Sequence, residues 1–317
     1  MPKNRYPKIG IRSKGELAKR ISGEKLSIKD ALKLINDVLG NYDKYWRDTK
    51  LSEPEKQKYV RSAKHTPLGR LLKLIDKKVL APYDHLVPDF IFGGLAGKNH
   101  IQAARYLLGE KRERTLLGLD ISRFFEQVKE KRVFYFFYTR CGCSKKAANL
   151  LASLCCVPLG PKGSGETEKS LARGFATSTR LALWCNFDTF LRISWEAKNE
   201  FRGHDPRIAI YVDDIGITAS RVDRKKVEAL SLVIENILSN AKLPINSKKK
   251  KIKSTFEGAE HLGIRLGRNK LTIGGKASAK LDNIRNRLKK PITKSEKTEL
   301  LKKKKSYYVY KQQVRKI

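Results

Sequence analysis

The chain has 317 residues, 40% of them hydrophobic, which is enough for one large domain or two modest ones with a real core. Lys plus Arg number 69 against 32 Asp plus Glu, a net charge of +37. A small-molecule substrate does not call for such an excess. A polyanion does, because each neutralised phosphate releases counterions. No apolar run approaches the ~18–20 residues that span a bilayer, and Met1–Pro7 has no apolar leader, so the expectation is a cytoplasmic protein with no membrane partner.

Residues 1–15 are basic and rich in breakers and read as an arm. Ser27 caps an amphipathic helix from Ile28 to Leu39, with Gly40 as its stop. Ser52-Glu53-Pro54-Glu55 looks like a second helix start. Leu68, Leu71, Leu72, Leu74, Ile75, Val79 and Leu80 make a helical apolar face. The stretch Phe90–Ile101 then carries Gly93, Gly94 and Gly97. Glycines there allow close approach of backbone to a phosphate or nucleic-acid strand, with Lys98 and His100 as contacts; a tight turn and helix cap is the equal alternative.

Leu116-Leu117-Gly118-Leu119-Asp120 is an apolar strand ending in a carboxylate, followed by Ile121 and the aromatics Phe124 and Phe125. Tyr135–Tyr138 continue an aromatic cluster that reads as packing. Cys141, Cys143, Cys155, Cys156 and Cys185 lack the spacing of a zinc site and read as buried free thiols. Residues 144–157 read as a helix and 158–170 as a loop. Gly160–Thr167 nearly spells a phosphate-binding loop, but Glu166 stands where Lys must, so an ATPase is rejected.

Arg207–Thr218 reads as a strand, an acidic tip at Asp213-Asp214, and a second strand. Alone, the tip is either a turn with two solvated carboxylates or a cation site. Two strands that each deliver Asp at one end could pair side by side. They would then hold two metal ions roughly 3.5–4 Å apart for in-line phosphoryl displacement, and carboxylate oxygens suit Mg²⁺. Val227, Leu230, Val233, Ile234, Ile237 and Leu238 share a face of a helix over 223–241. Asn246-Ser247 leads into Lys248–Lys251. His261–Leu266 reads as a hairpin. Ala277–Lys290 and Ser295–Arg315 read as basic helices, with Tyr307, Tyr308 and Tyr310 able to stack on bases or pack inward.

In this order the motifs resemble those of reverse transcriptases, over about residues 60–290, and look closest to the bacterial retron-like and phage-defence-associated group. The resemblance implies an α/β right-hand polymerase. Its parts would be an N-terminal arm and helices (1–63), fingers (64–115), an antiparallel-sheet palm (116–266, with helices and a loop insertion at 126–170) and a short basic helical thumb (267–317). It implies two Mg²⁺ ions at Asp120, Ile121, Asp213 and Asp214, and Lys248 at the leaving pyrophosphate. Phe125 would crowd a ribose 2′ position and select deoxynucleotides. Leu171–Thr179 is similar to the second palm motif, with Gly174 against the nascent base pair, Ser178 opening a helix, and Arg173 (usually Gln) and Lys98 near the incoming nucleotide. Tyr211, Leu262 and Gly263 would lie along the primer, and Asp188 would bond a helix to the palm. The implied partners are dNTPs, a structured non-coding RNA template, the DNA product, and a separate effector protein in anti-phage defence. Template-independent or protein-primed synthesis and a non-catalytic RNA scaffold are the alternatives. Two retron elements are missing: Gln102-Ala103-Ala104-Arg105-Tyr106 stands near the place of Asn-Ala-x-x-His, and Leu262-Gly263-Ile264 in the region of Val-Thr-Gly.

Overall fold

A computed structural model describes residues 6–110 and 113–315. Residues 1–5 of the expected arm lie outside them. The structure mixes helix and sheet, 52% helical and 17% strand. It divides into two compact units that interleave along the chain. One comprises Met1–Pro88, Gly94–Ala96 and Arg123–Asp188; the other comprises Asp89–Gly93, Gly97–Ser122 and Thr189–Ile317.

The first unit is mainly helical. Ser13, Ser27, Thr66 and Ser144 each cap a helix: Lys14–Ile21, Ile28–Gly40, Pro67–Ile75 and Lys145–Cys155. In each case the hydroxyl accepts the backbone N–H three residues on, a contact that contributes about 1 kcal/mol. Buried triplets such as Leu17, Ala18, Ile21 and Ala31, Ile35, Val38 face the core at helical spacing. The expected arm is not free over its described part. Ile9 and Ile11 are almost fully buried; Gly10 N–H donates to Cys141 O, and Ile11 O accepts from Ser144 N–H. Buried Pro7, Ile9 and Ile11 alternate with exposed Lys8, Gly10 and Arg12, and charge counting does not register that. Ser52–Glu55 starts only a single 3₁₀ turn, Pro54–Lys56. The loop after the Lys145–Cys155 helix is closed by a short hairpin, Cys156–Pro158 with Lys169–Leu171. Lys162 in that loop is tied down, Nζ to Trp46 O at 2.5 Å.

The second unit carries an antiparallel four-stranded sheet in the order Arg207–Tyr211, Asp214–Ser220, Arg114–Asp120, Lys251–Ser254. The two inner strands are apolar on both faces, as fully covered strands must be. Beside it lies a three-stranded sheet of Glu260–His261, Ile264–Gly267 and Lys270–Ile273. Ala103 and Leu107 from helix His100–Leu108, Leu116, Ala209, Leu266 and Val314 belong to one continuous core. The Arg224–Asn240 helix buries Val227, Leu230, Ile234, Ile237 and Leu238. Val233 is off that face and 45% exposed, contrary to expectation. The basic helices run Gly275–Arg287 and Lys294–Arg315. Among the described residues no helix is long and apolar enough to cross a membrane.

Candidate active site

The register of the four-stranded sheet gathers the acids. Asp120 ends its strand and is the cross-strand partner of Asp214, which begins the next. Tyr211 pairs with Asp214, so Val212 and Asp213 form a two-residue hairpin tip. Val212 takes φ +61°, a value that glycine ordinarily supplies at the first central position of such turns and that a β-branched residue adopts only under strain. Gly93 braces the tip from below: a Cβ there would overlap the backbone N of Val212. The glycine's open space is therefore filled by the protein's own chain. Gly94 is filled likewise, by Thr179 in the first unit.

Backbone hydrogen bonds lock three segments at this point. Ile121 N–H donates to Asp213 O at 2.9 Å, Asn246 N–H to Asp120 O at 2.8 Å, and Ser122 N–H to Pro244 O at 2.8 Å. The last two bonds deliver the 3₁₀ turn Ser247–Lys249 to the carboxylates. Lys249 Nζ donates to Asp120 Oδ1 at 2.8 Å, and that bond raises its pKa. Lys248 is exposed. Lys250 pairs with Glu235 at 2.6 Å. The lysine at the acidic site is thus Lys249, one residue beyond the expected one. Four successive lysines carry no signal that tells them apart; only the turn geometry selects one.

Asp214 titrates well above an ordinary carboxyl, pushed up to about 6 by burial, then by Asp213 and Asp120. Lys249 and Lys251 pull the other way. This excess of negative charge in a low-dielectric setting is what a divalent cation relieves, and the donors are the hard oxygens Mg²⁺ takes. The donor chemistry therefore fits, with Asp120 neutralised by an ammonium group here. Ile121 could offer only its carbonyl oxygen. Among the described residues no three His, Cys, Asp or Glu side chains are gathered as a ready metal cage.

The other expected residues are placed as follows. Lys98 Nζ donates to Ile91 O at 2.9 Å and lies over the Phe92 ring, so its charge is held by its own loop. Asn99 and Gln102 form a capping box at the start of His100–Leu108. Tyr211 meets His100 edge-on at 6.5 Å, and His100 stacks on Tyr310 at 5.8 Å. That aromatic chain runs from the hairpin to the last helix, and spacing alone could not reveal it. Leu262 and Gly263, at φ +53° and +74°, form the tight turn between Glu260–His261 and Ile264–Gly267. The turn is tied by Gly274 N–H to Gly263 O at 2.8 Å.

Phe125, Arg173, Gly174 and Ser178 belong to the first unit. Phe124 and Phe125 are both buried. Arg173 pairs with Glu126 at 3.2 Å and covers the Phe125 ring. Gly174, at φ +106°, makes room for the carbonyl of Arg61. Ser178 begins the helix Ser178–Cys185, and its hydroxyl donates to Ala172 O at 2.6 Å. Asp188 is exposed and pairs with Arg140 at 2.9 Å, within the first unit. The five cysteines are free thiols, four of them buried, and burial pushes Cys155 and Cys185 up to about 12.

No family model matches this chain, and no curated protein matches it.

Proposed function

We infer that the protein is an RNA-directed DNA polymerase of right-hand design, acting on deoxynucleoside triphosphates with a dedicated RNA as template. One observation carries the reading. Two adjacent antiparallel strands bring Asp120 opposite Asp214, with Asp213 on a strained two-residue tip between Tyr211 and Asp214. A structural turn has no need for that many mutually repelling carboxylates in a half-buried place. Asp120, Asp213 and Asp214 are the residues that would hold Mg²⁺, which when bound supplies charge neutralisation for phosphoryl transfer. Lys249 keeps a proton on Nζ beside them and offers a positive charge to a polyphosphate. Tyr211 and its His100 support wall the tip. The +37 net charge holds the RNA backbone. The sequence resemblance adds an anti-phage setting and a separate effector.

The test is primer extension on an RNA template with the purified protein, with and without Mg²⁺. Asp213→Asn should lower deoxynucleotide incorporation by at least about 100-fold, the scale of losing one electrostatic element of an active site, while RNA affinity stays. Undiminished incorporation by that variant would overturn the reading. A non-catalytic RNA scaffold is favoured by one feature, the Lys249–Asp120 bond, which partly satisfies the acids without a metal. It predicts RNA binding and no nucleotide turnover under any condition.

A further inference from the structure

The first unit carries an aromatic surface that its core does not use. The helical segment Glu130–Tyr135 continues through a π-helical turn, Phe136–Arg140. Phe136 and Phe137 point inward, with 3% and 0% exposure, but Tyr135 and Tyr138 stay 49% and 47% exposed. Phe134 links them. It lies face to face with Tyr138 at 5.5 Å and 18°, and meets Tyr135 edge-on at 5.5 Å. Lys131 Nζ sits 5.9 Å from the Tyr135 ring centroid. The π turn closes the helical segment, which ends at Cys141. It carries the inward Phe136 and Phe137 and the outward Tyr138.

We propose that Phe134, Tyr135 and Tyr138, with Lys131, form a stacking platform for the bases of single-stranded RNA on the first unit. The inference concerns that unit's own surface and holds whether or not the second unit polymerises. Aromatic faces accept any base, and cations interleaved with them track the backbone. The ring planes are already fixed by the Phe134–Tyr138 stack, so little order is lost when a base extends it. The charge on these elements and on the Lys145–Cys155 helix packed against them is complementary to phosphate: Lys131, Lys145 and Lys146 are exposed. Of the nearby acids, Glu168 and Asp188 are paired with Lys129 and Arg140, which leaves Glu130. The cores of protein–protein interfaces are depleted of lysine. The exposed positions beside the tyrosines are Lys131, Thr139 and Arg140.

The test compares an unstructured adenosine-rich oligoribonucleotide of about 12 nucleotides with an abasic strand of equal phosphate count, both binding the full-length protein. Wild type should favour the base-bearing strand. Tyr135→Ala/Tyr138→Ala should lose about tenfold in affinity for it, the scale of one lost stacking contact, with abasic affinity and melting temperature unchanged. Tyr135→Phe/Tyr138→Phe should bind like wild type. Ultraviolet crosslinking of wild type, read by mass spectrometry, should place adducts on Tyr135 or Tyr138. Unchanged affinity in the alanine variant, or crosslinks only elsewhere, overturns the proposal. So does an alanine variant that keeps RNA binding but loses self-association, which would make the face a protein interface.

Discussion

Asp214→Asn should make the protein more stable while destroying its activity. Asp214 has a folded pKa of about 6 against an ordinary 3.8, raised by burial and by Asp213 and Asp120. Between those two values the folded protein keeps a proton that the unfolded chain has released. Stability therefore falls as pH rises through the window, and above it the full penalty is present. About two pKa units correspond to a ceiling of about 3 kcal/mol. Asparagine keeps the shape and removes the charge, so the expected gain is about 1–3 kcal/mol at about pH 7.5. The gain should shrink toward zero at about pH 4, where the wild-type carboxyl is protonated in the folded state. The assay is denaturant unfolding in EDTA at both pH values. Added Mg²⁺ should then stabilise wild type more than the variant, since a ligand stabilises the state that binds it. A variant no more stable than wild type near neutral pH would show that the acids do not repel one another as described.

Other outcomes follow from neighbouring geometry. Gly93→Ala should destabilise by about 1–3 kcal/mol, because the new Cβ meets backbone at Val212 and not a yielding side chain; thermal unfolding reads this, with loss of extension activity alongside. Val212→Gly should raise stability by about 1 kcal/mol in the same assay, since it removes a β-branched residue from positive φ. Lys249→Ala should reduce stability in EDTA by up to about 1 kcal/mol, a modest value because the lysine is largely exposed, and should slow incorporation. Lys248→Ala should leave both nearly unchanged. A larger effect at Lys248 would reverse that assignment.

The acidic centre was legible because its signal is local. Two apolar runs, one ending and one beginning at Asp, can pair side by side, and the observed register sets Asp120 opposite Asp214. The cap at Ser27 and the face of the Arg224–Asn240 helix were legible for the same reason. What stayed hidden depends on which neighbour arrives. Gly93 announces that something comes close, but Val212 rather than a phosphate occupies the space. Arg173 has the chemistry of a phosphate contact, yet Glu126 takes it. The lysine run is chemically uniform, and a 3₁₀ turn decides that Lys249 reaches Asp120. Tyr135 and Tyr138 sit in a run of aromatics that reads as packing throughout, because the π-helical segment that follows Tyr135 leaves no trace in the hydrophobic period.

The central claim is best tested by sequencing the product of one reaction: purified wild-type protein, a defined RNA template with an annealed primer, the four deoxynucleotides and Mg²⁺, run beside Asp213→Asn. The account predicts DNA complementary to the template from wild type and almost none from the variant. No templated DNA from wild type, or equal amounts from both proteins, would contradict it.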